Sequence, residues 1–483
     1  MNSILENYEV KDNTFDEVIM ELKKKNSYYH GVMDKFSEME KNEFKSLNEA
    51  AKLSFLNQGV TYALYTKEKS EEQIFPFDLV PRIINHDEWE VLERGVIQRN
   101  TALNMFIHDV YNDGKILKDK VVPAELIKSS VHYCKSMEGF SPPKNIYCHI
   151  SGTDLIRHSD GNYYILEDNL RSPSGVSYVL INRQAMTRVI PKIFNNTPVE
   201  AVSDYCEELL KALWGVANKP LGEIFCALLT PGAYNSAYFE HTYLAQKMGI
   251  ELVEGRDLFV ENDKVYLKTI GKKIQVDVLY RRIDDAYLDP EVFKADSMLG
   301  VPGLMRAYLK GNITIVNAPG TGISDDKAVC AFVPDMIKYY LDEEPILNNV
   351  PTYICEKPEE LKYVLENIEK LVVKPVDLSG GYGVCICDQM SKAELDVLKE
   401  KIKANPREFI AQPKMMLSTH STFIEESEQF EARHIDLRTF TLMGGDKPFV
   451  LKGGLTRTAL TKGSLIVNSS QGGGSKDTWV IKE

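Results

Sequence analysis

The sequence predicts an α/β protein made of α+β lobes around a small parallel sheet. Three stretches carry that prediction. Residues 224–229 form an apolar run that ends at Thr230-Pro231-Gly232. A helical pattern from about 236 to 248 and the short segment Glu251-Leu252-Val253 follow, giving the rhythm of a βαβ unit. Residues 151–175, SGTDLIRHSDGNYYILEDNLRSPSG, alternate like an antiparallel hairpin around Asp160-Gly161. Trp89, Leu92, Val96, Leu103, Phe106, Ile107 and Val110 recur at helical spacing and predict one long amphipathic helix.

The remaining elements follow in order. Residues 1–60 are charged and helical in pattern, and no chemistry attaches to them. Residues 74–81 read as an extended connector. On the long helix, Arg94, Arg99 and Asn104 either face a ligand or lie on the surface. A further helix is expected over 122–136, then the hairpin, then a helical stretch over 182–202 that Pro191 interrupts. A new unit starts near Pro220. Its strand 313–317 leads into Ala318-Pro319-Gly320-Thr321-Gly322, either an ordinary Gly/Pro turn or a ligand-presenting loop at the end of a strand. Residues 331–370 supply two helices. Residues 371–412 give a hairpin, a helix over 391–404 and a strand, and 432–481 return as strands with a turn at Gly444-Gly445-Asp446-Lys447.

Composition narrows the function. The chain has 483 residues, 43% hydrophobic and 26% charged, the balance of a globular protein of two to four domains. A net charge of −13 and no basic tract beyond Lys23-Lys24-Lys25 disfavour nucleic-acid binding. No apolar run approaches the length of a membrane span, and MNSILENYEVKDN has neither the basic start nor the apolar core of a secretory signal. The eight cysteines are scattered without CxxC, as expected of reduced thiols in a cytoplasmic protein. The nine histidines show no zinc spacing, and His434 reads as structural.

The chemistry lies in two stretches. If Asp160-Gly161 closes a two-residue turn, position i faces 321 − i, which sets Asp154 opposite Glu167 with Asn169 on the same face. Carboxylates so close repel unless a hard cation joins them; Mg2+, which takes carboxylate, carbonyl and phosphate oxygens, suits the set. A solvated acidic hairpin is the plainer alternative. In LVVKPVDLSGGYGV, residues 371–384, Lys374 ends an apolar run, where a cation is costly unless an anion meets it. Ser379, Gly380, Gly381 and Gly383 make either a phosphate-approaching loop or an ordinary turn, and no P-loop motif occurs in the chain.

Taken together these stretches resemble the ATP-grasp superfamily. Asp326-Lys327 resembles the start of its module, and Lys374-Pro375 with the Gly loop its second lysine and mobile hairpin. Glu408-Phe409-Ile410-Ala411-Gln412 is similar to the strand that meets adenine. Asp436-Leu437-Arg438 and Arg457 resemble the arginine-bearing strands, and Asn468 with Gln471-Gly472-Gly473-Gly474 the stretch that follows them. Asp154, Glu167 and Asn169 match the magnesium triad of D-alanine–D-alanine ligases. That triad ordinarily comes last, whereas here it precedes the lysines. The closest resemblance is therefore to the circularly permuted ATP-grasp type 2 family, over roughly residues 75–480, with 95–111, 228–258 and 280–327 in support. One position departs: Gly152 stands where the D-alanine ligase pattern has an arginine.

The resemblance implies four parts: a helical region 1–115, a permuted segment 116–215 bearing the triad, a parallel-sheet domain 216–328, and 329–483 with lid, hinge and arginine-bearing strands. It implies ATP- and Mg2+-dependent joining of a small-molecule or peptide carboxylate to an amine through an acyl phosphate, without nucleic-acid or membrane partners. Asp154, Glu167 and Asn169 would hold Mg2+. Lys327, Lys374, Ser379, Gly380, Gly381, Gly383, Gln412 and Asn468 would hold ATP. Arg438, Arg457 and Arg171 are the candidates to neutralise the acyl phosphate. A phosphotransferase, or a nucleotide-binding scaffold of the same fold without turnover, is the alternative.

Overall fold

In the computed structural model, which describes residues 8–10, 13–65, 70–378, 382–467 and 473–483, the chain folds around two principal sheets joined by one long helix. The first is parallel, in the order Thr314–Val316, Val278–Arg281, Cys226–Leu229, Glu251–Val253. Three of its four segments, Thr314–Val316, Val278–Arg281 and Cys226–Leu229, are fully buried, which is why they read as continuous apolar runs rather than alternating ones. The helix Tyr238–Met248 is the crossover that the rhythm predicted.

The second sheet is mixed and has nine strands among the described residues. Its path is Asn348–Asn349, Tyr163–Asn169, Ile150–Arg157, Gln429–Leu442, Leu455–Thr458, Gly474–Val480 and Phe77–Ile84. Residues 150–169 thus pair directly with the last third of the chain. Phe77–Ile84 runs parallel to Gly474–Val480 and brings the two ends together. This is the circularly permuted arrangement. A third sheet, Tyr353–Ile354, Phe409–Pro413, Leu371–Pro375 and Cys385–Ile386, is antiparallel and stands apart.

The long helix, His86–Tyr111, links the cores. Trp89, Leu92 and Val96 pack with Leu155, Leu437 and Val480 of the nine-stranded sheet. Leu103, Phe106 and Ile107 join Leu279, Ile315 and Val329 of the parallel unit. The N-terminal helices Glu17–Leu22, Tyr28–Ser37 and Lys41–Asn57 lie against strand Phe77–Ile84. There Arg82 donates to Glu17 at 2.8 and 2.6 Å, both side chains buried.

Several local expectations need correction. Residues 77–84 are a strand of the large sheet rather than a connector. Over 122–136 only Ala124–Lys128 is α-helical. The helix expected over 182–202 spans Val176–Val189, restarts at Pro191–Asn195 and is finished by 199, where Val199 bridges Ile481. Arg99 and Asn104 are neither exposed nor ligand-facing. Arg99 donates to Asp168 at 2.7–2.9 Å, and Asn104 accepts from Tyr147 N and Cys148 N. The loop 318–322 is buried support: Tyr111 donates to Gly320 O, and Gly320 N donates to Asp285.

Asn317, at the end of the parallel sheet, ties the two principal sheets. Its Oδ1 accepts from His149 N (2.7 Å) and Ile150 N (2.9 Å), and its Nδ2 donates to Ile150 O and Leu170 O, each at 2.6 Å. Truncation strands these buried backbone groups at about 1–3 kcal/mol each. Asn317→Ala is expected to cost about 3 kcal/mol or more in a denaturant titration; a loss under about 1 kcal/mol would show that the clamp does not join the sheets.

Candidate functional site

The hairpin reaches the expected register by an unexpected route. Its turn takes three residues, 159–161, with Gly161 left-handed at φ 81°, so Arg157 pairs with Tyr163 and Leu155 with Ile165. A bulge at Leu166 then adds one residue. Asp154 consequently faces Glu167, and Gly152 faces Asn169. The two corrections cancel, and Asp154, Glu167 and Asn169 share one face of the sheet.

Across that face the neighbouring strands contribute opposite charges. Arg438 pairs in register with Asp154, and Asp436 with Arg457. Arg438 donates to Asp154 through Nε (2.5 Å) and Nη2 (2.7 Å), and Arg457 adds a bond from Nη2 (2.8 Å). Arg457 also grips Asp436 through Nε at 2.9 and 3.1 Å. Burial works against ionisation of Asp154, but the guanidiniums of Arg438 and Arg457 outweigh it and hold its carboxyl well below the usual range. Burial pushes Asp436 the other way.

Gly152 explains how Arg438 fits. A Cβ built at Gly152 would lie 3.0 Å from Pro173 Cβ and 3.3 Å from Arg438 Cδ. The stem of Arg438 therefore lies over the position where the D-alanine ligase pattern carries its arginine. The departure seen in the sequence coincides with an arginine delivered from the next strand.

The lysines sit on separate supports. Lys327 opens the short helix Lys327–Cys330, which Asp326 caps by accepting from Ala328 N (2.9 Å). Its Nζ donates to Leu378 O and lies 3.5 Å from Glu167. Lys374 lies on Leu371–Pro375, where Gln412 Oε1 accepts from its Nζ at 2.7 Å. Gln412 is oriented in turn by donating to Thr352 Oγ1 (2.9 Å). Among the described residues no carboxylate bonds Lys374 directly. Burial, with Lys327 nearby, pushes its pKa down to about 8, against the pull of Glu167.

Two clefts meet at the Glu167–Lys327 pair. The first brings Asp154, Glu167, Lys327, Lys374, Gln412 and Arg457 together. Its other walls are apolar, from Ile156, Leu166, Val372, Ile386, Met415 and Leu417. The second is polar and includes Asn169, Arg171, Arg282 and Asp284. It opens beyond the C-terminal ends of the parallel strands Cys226–Leu229 and Val278–Arg281, where open α/β sheets present ligands. Arg171 lies in this second cleft, held by Asp325 (2.9 Å) and Asp284 (3.3 Å), away from Asp154. Gly383 turns at φ 72° beside Pro375, whereas Ser379, Gly380, Gly381 and Asn468 lie outside the described residues. Arg282 was not singled out from the sequence; the signal was its place immediately after the buried run 278–281, at the end of a parallel strand. His241 lines the same cleft, but burial and then Arg282 push its pKa to about 2, so it stays neutral near pH 7.

The donor set suits a magnesium nucleotide. Glu167 is one-fifth exposed. Asn169 uses its Nδ2 on Gly152 O (3.3 Å), leaving the amide oxygen for a ligand. Among the described residues no three His, Cys, Asp or Glu side chains gather as a metal cage. Magnesium does not need one, since it is commonly held by one or two carboxylates together with substrate phosphates. The half-buried Lys374, bonded to an amide and to no carboxylate among the described residues, fits an anion.

Comparisons with known proteins bear on the family and the fold. Residues 81–459 match the family described as circularly permuted ATP-grasp type 2. A Synechocystis sp. protein is 48% identical over 93% of this chain and 93% of its own length. A Mycobacterium tuberculosis protein is 49% identical over 94% of this chain and 81% of its own. A Frankia alni protein with the provisional name glutamate–cysteine ligase 2-3 is 40% identical over 96% of this chain, which spans 54% of that protein. Among solved structures, a glutathione synthetase-like effector from Globodera pallida superposes with a TM-score of 0.58 at 14% identity. The match covers 92% of this chain and 98% of that one, a likeness of fold.

Two outcomes follow from these contacts. The folded pKa of Lys374 lies below its ordinary 10.5, so between about pH 8 and 10.5 the unfolded chain binds the proton more tightly. Without nucleotide, stability should therefore rise with pH across that window, and Lys374→Met should remove the slope and stabilise the protein at pH 7. The same variant should bind ATP roughly ten-fold or more weakly by calorimetry; an unchanged affinity would place Lys374 outside the nucleotide site. Separately, Gly152→Ala should cost about 1–3 kcal/mol and less in an Arg438→Ala background. Equal costs in both backgrounds would show that the arginine stem does not occupy that space.

Proposed function

The chain belongs to the circularly permuted ATP-grasp type 2 family, and from that premise we propose that it is an ATP- and Mg2+-dependent carboxylate–amine ligase working through an acyl phosphate. The observation that carries this reading is the meeting of the apolar and polar clefts at Glu167 and Lys327. A nucleotide in the first cleft would present its γ-phosphate where a carboxylate in the second can attack it. Phosphoryl transfer asks mainly for positioning and charge neutralisation, and this site offers both.

The roles divide by location. The apolar walls of the first cleft would receive the base, beside the strand Phe409–Pro413. Lys327 and Lys374 would neutralise phosphate oxygens, Lys374 releasing Gln412 as it turns to the stronger acceptor. Glu167 and Asn169, with Asp154, would hold Mg2+, which when bound screens the phosphates and lowers the barrier to nucleophilic attack on phosphorus. Arg457 faces the first cleft and Arg438 lies beside Asp154. Both would meet charge developing on the transferred group, while holding the Asp154 carboxylate in place. The segment from Pro375 to Gly383 would cover the phosphates and exclude water from the acyl phosphate. An amine then attacks the acyl carbon and phosphate leaves. The glutamate–cysteine ligase name of the Frankia relative fits joining of this kind, although this chain spans only about half of that protein. No helix among the described residues is long and apolar enough to cross a membrane.

The test is ADP release with pooled carboxylates and amines, each alone and together. A ligase needs both and yields an amide; release with one substrate and no amide marks a phosphotransferase, and ATP binding without release marks a scaffold. Glu167→Gln is the clean variant, because its one ion-pair partner among the described residues, Lys327, is 3.5 Å away. It should lose Mg-dependent ADP release while keeping the native melting temperature. Asp154→Asn should lose turnover and stability together, by about 3–5 kcal/mol, since it strips a buried partner from two arginines. Full turnover in Glu167→Gln would remove the metal assignment.

A further inference from the structure

Glu167 and Asn169 stand on a sheet strand and Lys327 on a helix turn, yet metal and phosphate must find them in one arrangement. Asp168, the residue between the two metal candidates, is where these supports meet. The bulge at Leu166 puts Asp168 on the face of Ile165, against the long helix His86–Tyr111 and away from Glu167. Its side chain has no exposed surface. Arg99 of that helix donates to it through Nε at 2.8 and 2.9 Å and through Nη2 at 2.7 Å. Thr153, directly opposite in the ladder, donates to its Oδ1 at 3.4 Å.

The same guanidinium reaches two further elements. Its Nη1 donates to Asn349 Oδ1 at 2.8 Å, on the edge strand Asn348–Asn349, and its Nη2 to Cys330 Sγ at 3.2 Å. Asn349 Nδ2 donates in turn to Cys330 O at 2.7 Å. Cys330 ends the short helix that Lys327 begins. One fork therefore ties the strand of Glu167 and Asn169 to the helix turn of Lys327, from behind the site.

Asp325 makes a second tie, accepting from Leu170 N at 2.6 Å and from Arg171 Nε at 2.9 Å. That tie holds the chain beyond Asn169. The Arg99 fork holds it at Asp168, adjacent to both metal candidates and just past the bulge, where the ladder is interrupted. As a source of stability a buried ion pair is weak, because apolar residues of similar volume often replace it at little cost. Its value here is geometric. A planar fork fixes Asp168, Asn349 and Cys330 at once, and a misplacement of about 1 Å can cost about 100-fold in a reaction that depends on alignment.

We propose that Asp168 and Arg99 are positioning residues of the enzyme, resting on the ligase reading above. With Cys330 and Asn349 they set the distance between Glu167 and Lys327, so that one magnesium phosphate group meets both.

Two measurements on the full chain test this. The first needs no nucleotide: a zero-length carbodiimide should join Glu167 to Lys327, which lie 3.5 Å apart, and mass spectrometry reads the yield. The second is calorimetry of a non-hydrolysable ATP analogue with Mg2+ and with EDTA, the ratio of the two affinities giving the contribution of the metal. The double variant Arg99→Met/Asp168→Leu exchanges the pair for apolar side chains and should keep the melting temperature close to that of the wild type. It should lower the cross-link yield roughly five-fold or more and the Mg2+ enhancement roughly ten-fold or more, with the metal-free affinity changed less than about three-fold. A purely structural pair would leave both readouts where they are. Arg99→Lys keeps a cation beside Asp168 without the fork; it should move both readouts in the same direction, and it carries the test if the double variant fails to fold. Absence of the cross-link in the wild type, or an unchanged yield or Mg2+ enhancement in a folded variant, would overturn the proposal. Failure of the analogue to bind the wild type would overturn the ligase reading instead, while the cross-link still decides whether Asp168 and Arg99 set the distance.

Discussion

Asp154 is the most constrained group in the protein, and the site is arranged around it. It is buried, sits opposite Glu167 on one side and Arg438 on the other, and receives three bonds from two guanidiniums. The strand carrying it pairs with Gln429–Leu442 from far along the chain, Asp154 and Arg438 lying 284 positions apart. An in-register ion-pair lattice across three strands opposes slippage, since a one-residue shift would send Asp154 to the opposite face and leave the arginines unpaired. The charges that fix the sheet register are thus the charges that line the polar part of the first cleft.

The lysines show the complementary strategy. Lys374 is held in a poorly solvated place by a neutral amide rather than by a carboxylate. Such a cation is poised for a phosphate, because exchanging an amide partner for an anion gains a charge-assisted bond without breaking an ion pair. Lys327 is restrained differently, by a capped helix turn and the backbone carbonyl of Leu378. That contact couples the cation to the segment proposed to close over the nucleotide, so closure and charge placement share one element.

The two clefts also divide the labour of the two principal sheets. The nine-stranded sheet contributes acid and arginine side chains from paired strands, where spacing is set by the ladder. The parallel sheet contributes Arg282 and Asp284 from the end of a strand, where loops are free to vary. Asn317 and the long helix lock these two frameworks together, which lets groups from distant parts of the chain hold a common geometry.

Much of this was legible in the residues, for local reasons. The parallel unit declared itself because strands buried on both faces are continuously apolar, and the long helix because its apolar stripe follows the helical period. Lys374 stood out because a cation after Leu371-Val372-Val373 contradicts its surroundings. The common face of Asp154, Glu167 and Asn169 came from strand alternation, although the three-residue turn and the bulge at Leu166 that produce it escaped a reading based on Asp160-Gly161 alone. The tertiary structure decided the rest. It turned residues 77–84 into a strand, gave Arg99 to Asp168, laid Arg438 over Gly152 and placed Arg171 in the second cleft. Alternation and helical period are properties of neighbouring residues, so one sequence displays them. Which arginine meets which carboxylate across hundreds of residues depends on strand order and register, and these exist only once the sheets have assembled.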